Sequence, residues 1–185
     1  MSTTEKTPAL YSQLATHPTF EGLPDTVLQW ILDKSEYVEY ELGTELFLPN
    51  SPVDHMFIVL KGDYKVVMPQ GDELRELGVW EAPVVTGLLP FSRMKVAKAY
   101  GVALTKVEGL RLHKDHFIEL VNVSYELAQR LVGEMSNRIR DFTSNRLQSE
   151  KLMSLGKLSA GLAHELNNPA SAIVRSVEEL YAQIH

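Results

Sequence analysis

Glycine punctuates residues 37–112, at positions 43, 62, 71, 78, 87, 101 and 109, and from Asp115 onward it nearly stops. A chain with this switch must carry two kinds of structure. In the glycine-spaced part, Val38, Tyr40 and Leu42 alternate with Glu39 and Glu41, the period of a half-buried strand. Met56 to Leu60 is a continuous apolar run, compatible with a fully buried strand. Tyr64, Val66 and Met68 alternate again, and so do Leu110 and Leu112. Short strands between turn signals predict a small antiparallel barrel or sandwich. Ahead of it, residues 19–35 predict a short helix. Pro24 suits a first turn, Val27, Leu28, Ile31 and Leu32 recur at helical spacing, and Trp30 flanks that stripe.

The second part reads as helix. Asp115 is placed to cap it and Glu119 falls in its first turn. Leu127, Leu131, Met135, Ile139 and Phe142 then form a stripe suited to helix pairing. Between Phe142 and Leu152 only Leu147 is apolar, so a polar joint is expected near 143–151. Leu152, Leu155, Leu158, Leu162 and Leu166 restore the seam. This is one long helix or two nearly continuous ones. The competing reading is an amphipathic helix lying on the barrel, against which stands a stripe too long for one small barrel to cover.

Composition removes several classes. The 185 residues suffice for one compact domain and an appendage. There is no cysteine, which excludes disulfides, zinc-thiolate sites and cysteine nucleophiles. No apolar run approaches the roughly 20 residues that span a bilayer, and Met1 to Thr7 lacks the apolar core of a signal peptide. A cytoplasmic protein is expected. Net charge is −6 with no long basic stripe, so nucleic acid is not the expected main partner.

The densest chemistry lies in the string Leu155-Gly156-Lys157-Leu158-Ser159-Ala160-Gly161-Leu162-Ala163-His164-Glu165-Leu166-Asn167-Asn168-Pro169. His164 is two positions from both Leu162 and Leu166, so it sits off the leucine seam where solvent reaches it. A neutral imidazole has a nucleophilic nitrogen at physiological pH, and the adjacent Glu165 carboxylate can hold the other ring N–H. Asn168 lies one turn on, over the same face. Pro169 removes the hydrogen bond to the Glu165 carbonyl and bends the helix there. His164-Glu165 also begins the zinc-protease pattern H-E-x-x-H, but Asn168 occupies the second histidine's place, so no metal site is expected. A lone surface histidine is the bland alternative, and the surrounding string argues against it.

This string resembles the H-box of the histidine kinase dimerisation and phosphotransfer domain. The resemblance implies that His164 accepts the γ-phosphoryl of ATP and passes it to a receiver-domain aspartate of a response regulator. It implies Glu165 as acid or base, Asn168 as a polar aid, and a dimeric four-helix bundle. No glycine-rich ATP lid and no GxxxxGK(S/T) loop occurs. ATP and Mg2+ are therefore expected to act through a catalytic domain beyond this chain, which should be inactive alone.

Residues Phe20 to Phe117 resemble the cyclic-nucleotide-binding fold, through Phe20-Glu21-Gly22-Leu23-Pro24, Leu42-Gly43-Thr44-Glu45-Leu46-Phe47 and Met56-Phe57-Ile58-Val59-Leu60-Lys61-Gly62. That family holds the ribose with a Gly-Glu pair and the phosphate with an Arg. In the stretch from Trp80 to Arg93, Arg93 fits the phosphate role, whereas Ala82-Pro83 stands where Gly-Glu is expected. Proline offers neither a carboxylate nor an N–H. Glu81 is near but out of register. The candidate ligand residues are Glu81, Thr86, Ser92, Arg93 and Lys95, with Lys98 beside them, and the competing reading is that the cations only solvate a surface strand. Cyclic AMP and cyclic GMP are expected to bind weakly or not at all.

The expected fold is α+β: an antiparallel β-roll with flanking helices, then a long dimerising signalling helix into a phosphoacceptor helix. The expected organisation is an N-terminal segment (1–18), a sensor (19–114), a signalling helix (115–150) and the first helix of the phosphotransfer domain (151–185). A sensor histidine kinase front end is the main functional expectation, with a parallel homodimer through 120–166. A non-catalytic ligand-binding or dimerisation module of the same fold is the alternative. A transcription factor with this barrel would need a helix-turn-helix, and none is visible.

Overall fold

The computed structural model describes residues 3–71, 73–140, 143–144, 147–148, 151–156 and 158–159. Residues 1–136 form one compact unit and 137–185 a second.

The first unit begins with α1 (Thr3–Ala15) and α2 (Asp25–Lys34). The polar N-terminal segment expected from the sequence is thus a helix, and Leu10, Tyr11 and Leu14 at steps of one and three are what anchor it, Leu14 being fully buried. Helix α2 starts after Pro24 and buries Val27, Leu28 and Ile31. It is shorter than expected from the sequence because residues 16–23 turn back on themselves, with the Phe20 and Glu21 N–H groups donating to the His17 carbonyl.

Among the described residues eight strands follow: β1 (Ser35–Tyr40), β2 (Glu45–Phe47), β3 (His55–Lys61), β4 (Asp63–Gln70), β5 (Glu73–Glu81), β6 (Val84–Gly87), β7 (Tyr100–Ala103) and β8 (Val107–His113). They form two antiparallel sheets, ordered β1-β8-β3-β6 and β2-β7-β4-β5. Leu42 falls outside β1 and is 71% exposed, because it sits in a turn closed by the Thr44 N–H donating to the Glu41 carbonyl, with Gly43 at φ 80°. The tight β3–β4 connection needs Gly62: its φ is 82° and a Cβ there would lie 2.1 Å from the Lys106 carbonyl oxygen.

Two cores explain the continuous apolar run of β3. Met56, Ile58 and Leu60 join Leu110 and Leu112 in a core shared with Leu14, Phe20, Ile31 and other helical residues. Val59 joins Tyr64, Val66, Ala103 and Val107 in the second core, against which Phe47, Phe57 and Trp80 pack. Strand β3 is covered on both faces, so it has no polar face to alternate with, whereas β8 keeps Glu108 and Arg111 partly exposed.

The helical part departs from expectation at its start. Residues Lys114–His116 make a 3-10 turn, α3 is Phe117–Val123, and Ser124 is extended with φ −150° and ψ 104°. Ser124 rather than Asp115 caps the next helix, α4, whose part in the first unit is 125–136: its hydroxyl accepts from the Leu127 N–H at 3.1 Å. In the second unit the described residues are helical.

The apolar stripe divides. Leu127 and Leu131 are fully buried in the helix-facing core and Met135 packs against it. Ile139, Leu147, Leu152, Leu155 and Leu158 are exposed. The stripe read as a single dimer seam from Leu127 onward therefore serves the chain's own domain at its start.

Candidate functional site

The loop between β6 and β7, residues 88–99, holds three of the candidate ligand residues, Ser92, Arg93 and Lys95. Gly87 launches it: with φ 73°, a Cβ there would sit 2.6 Å from the His55 carbonyl oxygen, which accepts the Leu88 N–H at 2.9 Å. Leu88 and Leu89 are buried, and Ser92 donates its N–H back to Leu89 at 3.0 Å. The chain then runs beside residues 50–53, through Ala97 N–H to Ser51, Val53 N–H to Lys95 and Asn50 N–H to Ala97. Ala97 and Ala99 anchor its far end. Between the anchors lies an exposed rim of Phe91, Arg93, Met94, Lys95, Val96 and Lys98. Phe91 has φ 69°, a conformation that a bulky side chain adopts only when its surroundings enforce it.

The sequence candidates distribute unevenly. Ser92, Arg93 and Lys95 share this loop, and Arg93, Lys95 and Lys98 make no ion pair among the described residues. Thr86 is buried in β6 opposite Phe57. Glu81 lies exposed at the end of β5 opposite Asp63, in the other sheet. Ala82-Pro83 forms the β5–β6 turn, where the Ala82 N–H donates to Gly62 at 3.1 Å. The whole of β6 thus separates that dipeptide from the cations. His164, Glu165 and Asn168 lie outside the described residues.

What the loop touches matters more than what it displays. Val85 and Leu89 belong to the same buried core as Leu120 of α3 and Leu127, Ala128 and Leu131 of α4. That helical layer is pinned at two points. Glu119 accepts from the Trp30 indole N–H at 2.8 Å and pairs with Lys34 at 3.4 Å; the indole hydrogen bond is the main cause holding its carboxyl below the ordinary range. Arg130 donates to the Thr19 and Glu21 carbonyls at 3.1 and 2.7 Å and pairs with Glu126 at 2.6 Å. Neither pin was visible in sequence, since each joins residues about a hundred positions apart.

Two histidine environments also escaped the sequence reading. His17 is 1% exposed; its Nδ1 accepts the Thr19 N–H at 3.1 Å, and burial lowers its pKa to about 4. His55 and His113 face each other across β3 and β8 with ring centroids 4.8 Å apart, beside Asp54. Burial raises the Asp54 carboxyl, but the hydrogen bond from His55 and the nearby charges of His55, His113 and Lys114 outweigh it and hold the group below its ordinary value.

Residues 37–124 match the family model of the cyclic nucleotide-binding domain. Solved structures show the same fold. The catabolite activator protein of Thermus thermophilus superposes with a TM-score of 0.61 at 20% identity, over 71% of this chain and 62% of that one. The sensor domain of the transcriptional regulator DNR from Pseudomonas aeruginosa gives 0.62 at 19% identity, covering 76% and 95%. A cyclic nucleotide-binding domain from Methylobacillus flagellatus gives 0.64 at 14% identity, covering 78% and 84%. The chain thus spans less than two thirds of the length of the Thermus protein. No curated protein matches the sequence significantly. Among the described residues, no helix is long and apolar enough to cross a membrane.

Proposed function

We propose that this cyclic nucleotide-binding fold serves as a non-catalytic sensor: a ligand or partner engages the loop 88–99, and the change passes through the core into α3 and α4. One observation carries the reading. Leu89, on the loop, is 1% exposed in the core that holds Leu120, Leu127 and Leu131. Packed interiors move between discrete arrangements rather than deforming smoothly, so a displaced Leu89 forces the helices to repack. Leu89→Ala tests this. Amide protection along 117–131 should fall more than along β4 and β5; an equal fall in both would remove the coupling.

The rim chemistry indicates the ligand class. Arg93, Lys95 and Lys98 are exposed, residues 88–99 contain no helix whose N-terminus would cradle a phosphate, and aromatic rings pack against the roll interior. An exposed ion pair contributes little. An anion with an apolar portion, or a protein surface, fits this rim better than a cyclic nucleotide. Calorimetry with cyclic AMP and cyclic GMP should show only weak binding. A dissociation constant of a few micromolar or lower, lost in Arg93→Ala, would reverse that assignment.

A second reading concerns the output, and the string from Leu155 to Pro169 favours it. There the sensor regulates a histidine kinase: His164 is the phosphoacceptor, Glu165 the acid or base and Asn168 a polar aid. ATP and Mg2+ act through a separate catalytic domain, a response-regulator receiver takes the phosphoryl group, and two chains pair through the exposed Leu152, Leu155 and Leu158. Supplying a histidine kinase ATP-binding domain in trans should label this chain from ATP, and His164→Gln should abolish the label. One of the structural relatives, the DNR sensor domain, is named as part of a transcriptional regulator, so a nucleic-acid output is the rival. Specific DNA binding without histidine phosphorylation would favour the rival.

A further inference from the structure

We propose that Asp54, His55 and His113 form a binding site for a divalent transition-metal ion of the zinc class. The three residues each offer one donor atom, and these atoms lie within 4.8 Å of one another. The fold itself brings them together. His55 opens β3, His113 closes β8, and the antiparallel register pairs the two directly. Asp54 precedes His55, and its carbonyl accepts the Lys114 N–H at 2.7 Å, which fixes the turn against the end of β8.

His55 Nδ1 is 2.6 Å from Asp54 Oδ1, and His113 Nε2 is 3.9 Å from Asp54 Oδ2. Donors bound at about 2.0 Å in a tetrahedron are about 3.3 Å apart, so the set, whose donor atoms lie within 4.8 Å of one another and which reaches the two oxygens of one carboxylate, must contract to hold an ion. Small side-chain rotations close one gap and open the other. All three residues are partly exposed, so an ion has a route in and water can complete the shell. Two imidazoles and a carboxylate are the donor set of zinc and ferrous sites, whereas calcium and magnesium prefer oxygen donors alone.

A second observation fits. His113 Nδ1 lies 3.1 Å from Asp115 Oδ2. With Nε2 on the ion, the ring proton sits on Nδ1 and is donated to that carboxylate, the order of carboxylate, histidine and metal that fixes a ligating imidazole. In the alternative tautomer Nδ1 accepts the Asp115 N–H at 3.4 Å and caps the 3-10 turn. Ion binding therefore exchanges one link for another at the point where the sheet hands over to the helices. The same His55 carries the carbonyl that accepts the Leu88 N–H at the root of the loop 88–99. The site stands apart from the loop's own ligand, and binding is read without reference to output.

The test is titration of the untagged, chelator-treated chain with Zn2+ alone, and with Co2+ to read its visible ligand-field bands. One ion per chain should bind, the melting temperature should rise with Zn2+, and Mg2+ should do neither. His55→Gln and His113→Gln should each weaken Zn2+ by about a hundredfold, and Asp115→Asn by about tenfold. His116→Gln should change nothing. Circular dichroism of the metal-free variants checks folding, and Asp54→Asn supplies a further ligand variant if one histidine variant fails to fold. Absence of saturable binding to the wild-type chain below about 100 µM would overturn the proposal. So would wild-type affinity in the His55→Gln/His113→Gln double variant, since the ion would then sit elsewhere.

Discussion

Leu127, Leu131 and Met135 recur along the sequence just as Ile139, Leu147, Leu152, Leu155 and Leu158 do, yet the two groups have opposite surroundings. The first is packed into the domain's own core, and the second is exposed. Apolar periodicity identifies which face of a helix avoids water, and says nothing about whether that face is covered by the same chain or another. Under the proposed function this difference divides the labour: the first group would report the state of the sensor, and the second would pair with a second copy.

The largest effect should come from breaking the buried group. Leu127→Ala leaves a cavity in a core where the side chain is fully buried, and should cost about 2–5 kcal/mol in denaturant unfolding. Leu155→Ala should leave the unfolding of the sensor unchanged and weaken self-association by about tenfold or more, as sedimentation would show. Equal stability losses in both variants would erase the distinction between the groups.

His17 offers a pH handle on the same core. Its folded pKa of about 4 lies below the unfolded value of 6.5, so the unfolded chain binds more protons between those values. Stability from this group is present above pH 6.5 and is lost as pH falls towards 4, by on the order of 3 kcal/mol in full. In His17→Phe the melting temperature should depend less steeply on pH over that window. An unchanged slope would mean that His17 is protonated at no cost where it lies.

The smallest effect concerns the boundary that starts the buried group. Ser124→Ala removes the hydroxyl that accepts the Leu127 N–H and should cost about 1 kcal/mol, read by thermal unfolding. A neutral substitution would show that packing of Leu127 and Leu131 alone sets where α4 begins.

Much of the fold was legible because local pattern and tertiary surroundings agree there. The strand at Met56 to Leu60 was readable since burial on both faces leaves a continuous apolar run. Helix α1 was missed because its polar residues masked the spacing of Leu10 and Leu14. The break at Ser124 was hidden by apolar residues on both sides of it, although a serine ahead of Tyr125-Glu126-Leu127 is a start signal of the ordinary kind. The candidate site was less legible. Arg93 and Lys95 were identified as residues, but Arg130 on the Thr19 and Glu21 carbonyls, and His55 opposite His113, arise only from long-range register. The motif around His164 was readable from its own order alone, and it lies outside the described residues.

Hydrogen exchange of the full chain at two protein concentrations tests the division of the stripe most directly. Amides of 125–136 should be equally protected at low and high concentration, because their apolar face is covered within one chain. Amides of 151–159 should gain protection as concentration rises and a second copy covers Leu152, Leu155 and Leu158. Protection that rises together in both segments, or that depends on concentration in neither, would contradict the account.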